Sequence, residues 1–169
     1  MRRYCRPFVI FTVFMLCILI SGTVVALDGN LLPNPSIEIE DPSSSGKPDS
    51  WKTWKSTGDQ YIVDFEWSNK VARSGERSLK IGAVSKNGKA TWQSTYVDVT
   101  PAMTYRASVY VKVEGAKVGE SITLTIVWRD AGNKRLGTVS ETFIITESNM
   151  DWTLVTLEEA AFENCARAG

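Results

Sequence analysis

Between residues 60 and 158 the chain alternates apolar and polar residues in seven short runs, each bounded by turn residues. A period of two puts successive side chains on opposite faces of an extended strand, and no segment shows a capped apolar period of 3.6. The runs are residues 60–67 (QYIVDFEW), 77–84 (RSLKIGAV), 90–99 (ATWQSTYVDV), 104–114 (TYRASVYVKVE), 120–129 (ESITLTIVWR), 136–146 and 151–158. Ser74-Gly75, Asn87-Gly88 and Asp130-Ala131-Gly132-Asn133 supply turns between them. Many short strands at this spacing predict an all-β sandwich or jelly roll.

Alternation also sorts the faces. In residues 104–113, Tyr105, Ala107, Val109, Val111 and Val113 share one side; Thr104, Arg106, Ser108, Tyr110 and Lys112 share the other. In the next run, Ile122, Leu124, Ile126 and Trp128 oppose Thr123, Thr125, Val127 and Arg129. In the run before, Thr91, Gln93 and Thr95 oppose Trp92. Combined, these strands suggest one sheet with a polar face of hydroxyls, an amide, guanidinium groups and an aromatic ring, which is the chemistry that meets sugar hydroxyls and C–H patches. A merely solvated sheet face has the same pattern.

Residues 33–57 differ in character. Pro33, Pro35, Pro42 and Pro48 surround Ser43-Ser44-Ser45-Gly46, the composition of an irregular surface loop, and loops on rigid scaffolds commonly carry binding. Trp51 and Trp54 stand at its end. Two roles are open to them, a platform for ligand or a plug over the core. For Trp92 and Trp152 core packing is the simpler reading, while Trp128 shares strand parity with Ile122 and Leu124.

The N-terminus is basic (Arg2, Arg3, Arg6), then apolar, with no acidic residue before Asp28. That order is the pattern of an export signal, and Val24-Val25-Ala26 suits cleavage after Ala26. An uncleaved membrane anchor is the alternative, since roughly 20 apolar residues can span a bilayer. Residues 1–26 are therefore expected to be a signal peptide or anchor, residues 27–169 the functional domain, and the location secreted or envelope-associated. The leader holds three of the 19 basic side chains and none of the 19 acidic ones, leaving 16 against 19, a net charge of −3. No basic patch for nucleic acid is expected from that balance. After export Cys165 would be the remaining cysteine, so no intramolecular disulfide is expected.

The order of motifs carries a family resemblance. Leu31-Leu32-Pro33-Asn34-Pro35-Ser36-Ile37-Glu38 resembles the opening "N-P-x-F-E" strand of galactose-binding-like jelly rolls, in particular the carbohydrate-binding modules of the cellulase C type. Gly46-Lys47-Pro48-Asp49-Ser50-Trp51 is similar to their "G-x-P-x-x-W". Ala72-Arg73-Ser74-Gly75-Glu76-Arg77-Ser78-Leu79-Lys80-Ile81 matches "A-x-S-G-x-x-S-L-x-I". Trp92-Gln93, Pro101, Tyr105, Val111-Lys112, Trp128 with Asp130 and Gly132, and then Trp152 follow in order. The resemblance implies a non-catalytic β-jelly roll that binds polysaccharide or cell-surface glycan. Carried over by position, it makes Trp51, Gln93 and Trp128 sugar-contact candidates; Trp54 joins them from the loop, and Arg106 and Tyr110 from the face argument. It also implies a structural calcium (Ca2+) near the first strand, with the Glu38 carboxylate and backbone carbonyls of the 73–77 turn as ligands. The family normally continues beyond the Trp152 strand with further strands, so the chain reads as C-terminally incomplete, a fragment or part of a longer glycoside hydrolase.

Catalytic readings have little footing. The chain has no histidine, which removes a Ser-His-Asp triad and a His-ligated metal. Asp64 with Glu66, and Glu158 with Glu159, are the nearest approach to the carboxylate pair a glycosidase needs, and solvated carboxylates explain both. Besides sugar binding, two readings stay open: a structural or adhesive envelope domain of the same fold, and a small glycan-active hydrolase.

Overall fold

A computed structural model describes residues 29–57, 62–82 and 88–169. The expected export segment lies outside the described residues, as do residues 60–61 and 83–84 of two expected strands. Leu31–Gly169 form one unit.

The described chain contains no helix. Its strands are β1 (Trp51–Lys55), β2 (Asp64–Ser68), β3 (Ser78–Gly82), β4 (Ala90–Ser94), β5 (Val97–Asp98), β6 (Thr104–Val113), β7 (Ser121–Arg129), β8 (Arg135–Ile144), β9 (Met150–Ala160) and β10 (Arg167–Ala168). Every pairing is antiparallel: β1 with β4, β2 with β3, β6 with β9, and a four-stranded sheet in the order β5-β10-β7-β8. The all-β class is the one the alternation predicts.

Two departures follow from tertiary context. Residues 51–55 (WKTWK) form a strand where a loop was expected, because β4 offers them a complete antiparallel partner from Trp51–Ser94 to Lys55–Ala90. The run at 90–99 breaks at Thr95 and Tyr96, so that β4 pairs with β1 while β5 pairs with β10.

Packing occurs between the β6–β9 ladder and the four-stranded sheet. Ile126, Trp128, Leu157, Ala161, Cys165 and Ala168 form the buried cluster, with Tyr105, Ala107, Leu124, Leu136 and Val139 packed against it. Tyr105 and Trp128 meet with ring centroids 6.0 Å apart. β6 and β7 thus face each other with their apolar sides, and their polar sides turn away from a shared core. The single composite polar face expected from β4, β6 and β7 does not exist; their outer residues belong to different surfaces. Strand alternation is a property of one strand, whereas the sharing of a face across strands depends on pairing.

The segment before β1 is held by one buried amide. Asn34 has no exposed surface; its Nδ2 donates to Ile39 O and Asp49 O, each at 3.0 Å, and its Oδ1 accepts from Ile39 N at 3.3 Å. Ile37 in the same stretch has φ 66°, a strained value for a β-branched residue. Its carbonyl accepts from Trp67 Nε1 at 2.8 Å, so the surrounding bonds hold the strained turn.

Candidate sugar-binding surface

Trp54 lies three positions after Trp51, and in a strand an odd spacing sends two side chains to opposite faces. On the β1–β4 ladder Trp51 lies opposite Ser94, and Thr53 opposite Trp92; on the other face Lys52 lies opposite Gln93, and Trp54 opposite Thr91. The consequences are plain in exposure and bonding. Trp51 is half-buried and donates its indole N–H to Asn34 O at 3.0 Å, tying β1 to the Asn34 hub. Trp54 is 48 % exposed. Beside it stand the exposed Gln93 and Lys52, and the half-buried Thr91. One ring, one amide, one ammonium and one hydroxyl therefore share a small patch. That combination can stack on a pyranose ring while donating to and accepting from its hydroxyls.

Of the other indoles, Trp67, Trp92 and Trp152 are half-buried and Trp128 is fully buried. Trp92 donates to Lys80 O at 3.1 Å and meets Phe65 edge-on at 5.5 Å. Trp67 sits under the Arg77 guanidinium at 4.3 Å. Trp128 corrects an expectation: it has no exposed surface, lies in the core, and cannot touch a ligand there. Its parity with Ile122 and Leu124, visible in the sequence, decided its side; the family motif pointed the other way.

On the β6–β9 ladder, Arg106 lies opposite Glu158 and Tyr110 opposite Leu154. Both are exposed, but Arg73 from the β2–β3 turn places its guanidinium carbon 3.4 Å from the Tyr110 ring centroid. One face of that ring is already occupied by a cation, which leaves it a poorer sugar platform than Trp54. The structure thus unites Trp54 with Gln93, sets Trp51 and Trp128 inward, and puts Arg106 and Tyr110 on a separate surface.

Beyond β4 the chain passes through Thr95 and Tyr96 into β5 of the four-stranded sheet. The step through Thr95 and Tyr96 shifts the alternation by one residue, so that Gln93, Tyr96 and Asp98 are all exposed while Val97 and Val99 are half-buried. Sequence reading missed Tyr96, which is 41 % exposed and lies under the Arg129 guanidinium at 4.7 Å. An added Cβ on Gly169 would approach the Tyr96 ring to 2.8 Å, so the ring rests flush on bare backbone. A surface depression of about 610 Å³ at the far end of β6 and β9, lined by Lys112, Val113, Glu114, Asn149, Met150 and Asp151, contains no aromatic ring.

Glu38 does meet the turn expected to join it in a calcium site, but through different atoms. Its Oε1 accepts from the backbone N–H groups of Glu76 at 3.0 Å and Arg77 at 3.1 Å. Gly75 has φ 69° and no room for a Cβ against that carboxylate. The carboxylate is thus the acceptor for two amides. Calcium calls for six or more oxygens, several of them anionic, and among the described residues no group of three or more acidic, histidine or cysteine side chains comes together.

Carboxylates elsewhere are tuned by local hydrogen bonds. Glu66 is held below its usual value by the Lys80 ammonium at 3.2 Å and the Ser68 hydroxyl at 3.1 Å, with Lys70 adding to the effect. Glu40 is lowered chiefly by the Gly46 N–H at 2.6 Å, and Asp41 by the hydroxyl and N–H of Ser43. All three sit in turns or on an exposed hairpin and stabilise local structure.

A comparison with protein families finds a match to a carbohydrate binding domain over residues 29–158. No curated protein and no solved structure gives a significant match. With more than half of its length matched, the chain belongs to the carbohydrate binding domain family.

Proposed function

We propose that this chain is an exported, non-catalytic module that binds a poly- or oligosaccharide on the surface bearing Trp54 and Gln93. Membership of a carbohydrate binding family supports a sugar partner. The observation that carries the choice of surface is Trp54, about half exposed on a β1–β4 face that also presents Gln93, Lys52 and Thr91. The pyranose C–H face stacks on the indole, Gln93 and Thr91 exchange hydrogen bonds with ring hydroxyls, and Lys52 donates. Export rests on the basic-then-apolar order of residues 1–26. The reading assigns no reaction to the chain and no role to calcium.

Affinity electrophoresis of the full chain through gels containing soluble glucans, xylans, mannans and uronic-acid polymers tests the proposal. Retardation by at least one polymer, abolished in Trp54→Ala, is the expected result. Unretarded migration in every gel contradicts it. Release of reducing sugar from any of these polymers would instead favour the hydrolase reading.

A further inference from the structure

The register of the four-stranded sheet lines up charges that are far apart in sequence. Asp98 on β5 is opposite Arg167 on β10, Arg167 is opposite Arg129 on β7, and Arg129 is opposite Arg135 on β8. Directly opposed residues on antiparallel strands point to the same side of the sheet. The next pair in the β10–β7 ladder fixes which side that is. Trp128 is opposite Ala168 and both are buried, so Arg129 and Arg167 face outward; on β8 the register shifts between the Trp128 and Arg129 pairs, and Arg135, exposed and bonded to the Thr138 hydroxyl, reaches the same side. Three guanidinium groups therefore cross three adjacent strands, a span of about 10 Å at the usual strand spacing.

Like charges placed directly opposite each other destabilise a sheet, and the row has little internal compensation. Asp98 reaches Arg167 at 3.5 Å, on an exposed edge. Among the described residues neither Arg129 nor Arg135 has a carboxylate partner. Arg129 donates from Nη1 to Asn133 O, lies over Tyr96, and leaves a buried Nε without an acceptor. Arg135 donates from Nη2 to the Thr138 hydroxyl. The nearby Asp130 carboxylate is taken up by the hairpin itself, accepting from Lys134 N at 2.8 Å. The same outward side of β7 and β8 carries hydroxyls, with Thr123 opposite Thr142, and Thr125 and Ser140 bonded at 3.0 Å. Arginine forks match a planar carboxylate in a way that an ammonium does not.

We propose that Arg135, Arg129 and Arg167, beside Tyr96, form a subsite for the carboxylate of a uronic-acid residue, so that the module's ligand is an acidic polysaccharide. The carboxylate neutralises the row, the adjoining hydroxyls meet the sugar hydroxyls, and the Tyr96 edge meets the ring. This rests on the carbohydrate-binding reading and narrows its ligand class.

The test is titration of the full chain with polygalacturonate, neutral xylan, dextran sulfate and polyglutamate, at low and physiological salt. Arg135→Gln, Arg167→Gln and the double variant are compared with Trp54→Ala. Both arginines are exposed, so thermal melts serve to confirm intact folding. Polygalacturonate is expected to bind most tightly and to lose about tenfold or more in affinity in the double variant, given the usual strength of charge-assisted hydrogen bonds. Xylan binding equal to that of polygalacturonate, and indifferent to the double variant, overturns the acidic subsite while leaving sugar binding in place. Dextran sulfate or polyglutamate binding as tightly as polygalacturonate also overturns it, since charge alone would then suffice. Binding of no sugar polymer removes the carbohydrate reading itself.

Discussion

Two exposed surfaces of this molecule carry aromatic rings and cationic side chains, and they are not equivalent. On the β6–β9 ladder the ring of Tyr110 lies under Arg73 at 3.4 Å, and Arg106 stands opposite Glu158. On the β1–β4 ladder Trp54 is nearly half exposed beside Gln93. Farther along the chain, three arginines stand in a row in which only Arg167 has a carboxylate partner, Asp98. On the first surface the tyrosine ring already has a cation on one face. The second leaves ring and charge for something else. Residue inventory alone does not separate a binding face from a solvated one; the difference lies in what already covers each group.

The largest effect expected lies beneath both surfaces. Trp128→Ala removes a fully buried indole and should destabilise the domain by about 3–5 kcal/mol, enough to unfold a marginal sandwich. Denaturant unfolding measures it. A loss of less than about 1 kcal/mol would return Trp128 to the ligand-contact candidates, since an exposed side chain costs little to truncate. Next comes the effect on ligand: Trp54→Ala should weaken binding by about 2 kcal/mol, roughly thirtyfold, with little change in stability. Tyr110→Ala should change affinity by less than about twofold, a value typical of residues outside a binding hot spot. Equal losses in the two variants would dissolve the distinction between the surfaces.

Smaller effects sharpen it. Millimolar calcium should leave the melting midpoint unchanged, because Oε1 of Glu38 already accepts from the Glu76 and Arg77 amides. A rise in midpoint would mean that carbonyl oxygens complete a site around it. The smallest change concerns Glu66, whose folded-state pKa is depressed by Lys80, Ser68 and Lys70. Its contribution is present above the ordinary carboxylate range and is lost as pH falls through the depressed value. Glu66→Gln should therefore lower the midpoint slightly at neutral pH and match the parent in strong acid.

Much of the fold was legible because alternation reports directly on strand faces. Tyr105, Ala107, Val111 and Val113 are more buried than the neighbours they alternate with, as expected, and Ile126 and Trp128 are buried. Pairing was not legible, because register depends on residues remote in sequence. That is why β4, β6 and β7 were placed on one surface, and why the arginine row, whose members come from residues 129, 135 and 167, escaped notice. The strand β1 was hidden by the proline- and serine-rich stretch before it and by the two lysines within it. Read as a strand, its odd spacing would have separated Trp51 from Trp54 at once.

The central claim is that sugar binds the Trp54 surface and not the Tyr110 surface. Affinity electrophoresis of the parent chain, Trp54→Ala and Tyr110→Ala in one polysaccharide gel tests it most directly. The account predicts retarded migration for the parent and Tyr110→Ala, and free migration for Trp54→Ala. Retardation of Trp54→Ala equal to that of the parent, with Tyr110→Ala running free, would contradict it and move the binding site to the β6–β9 face.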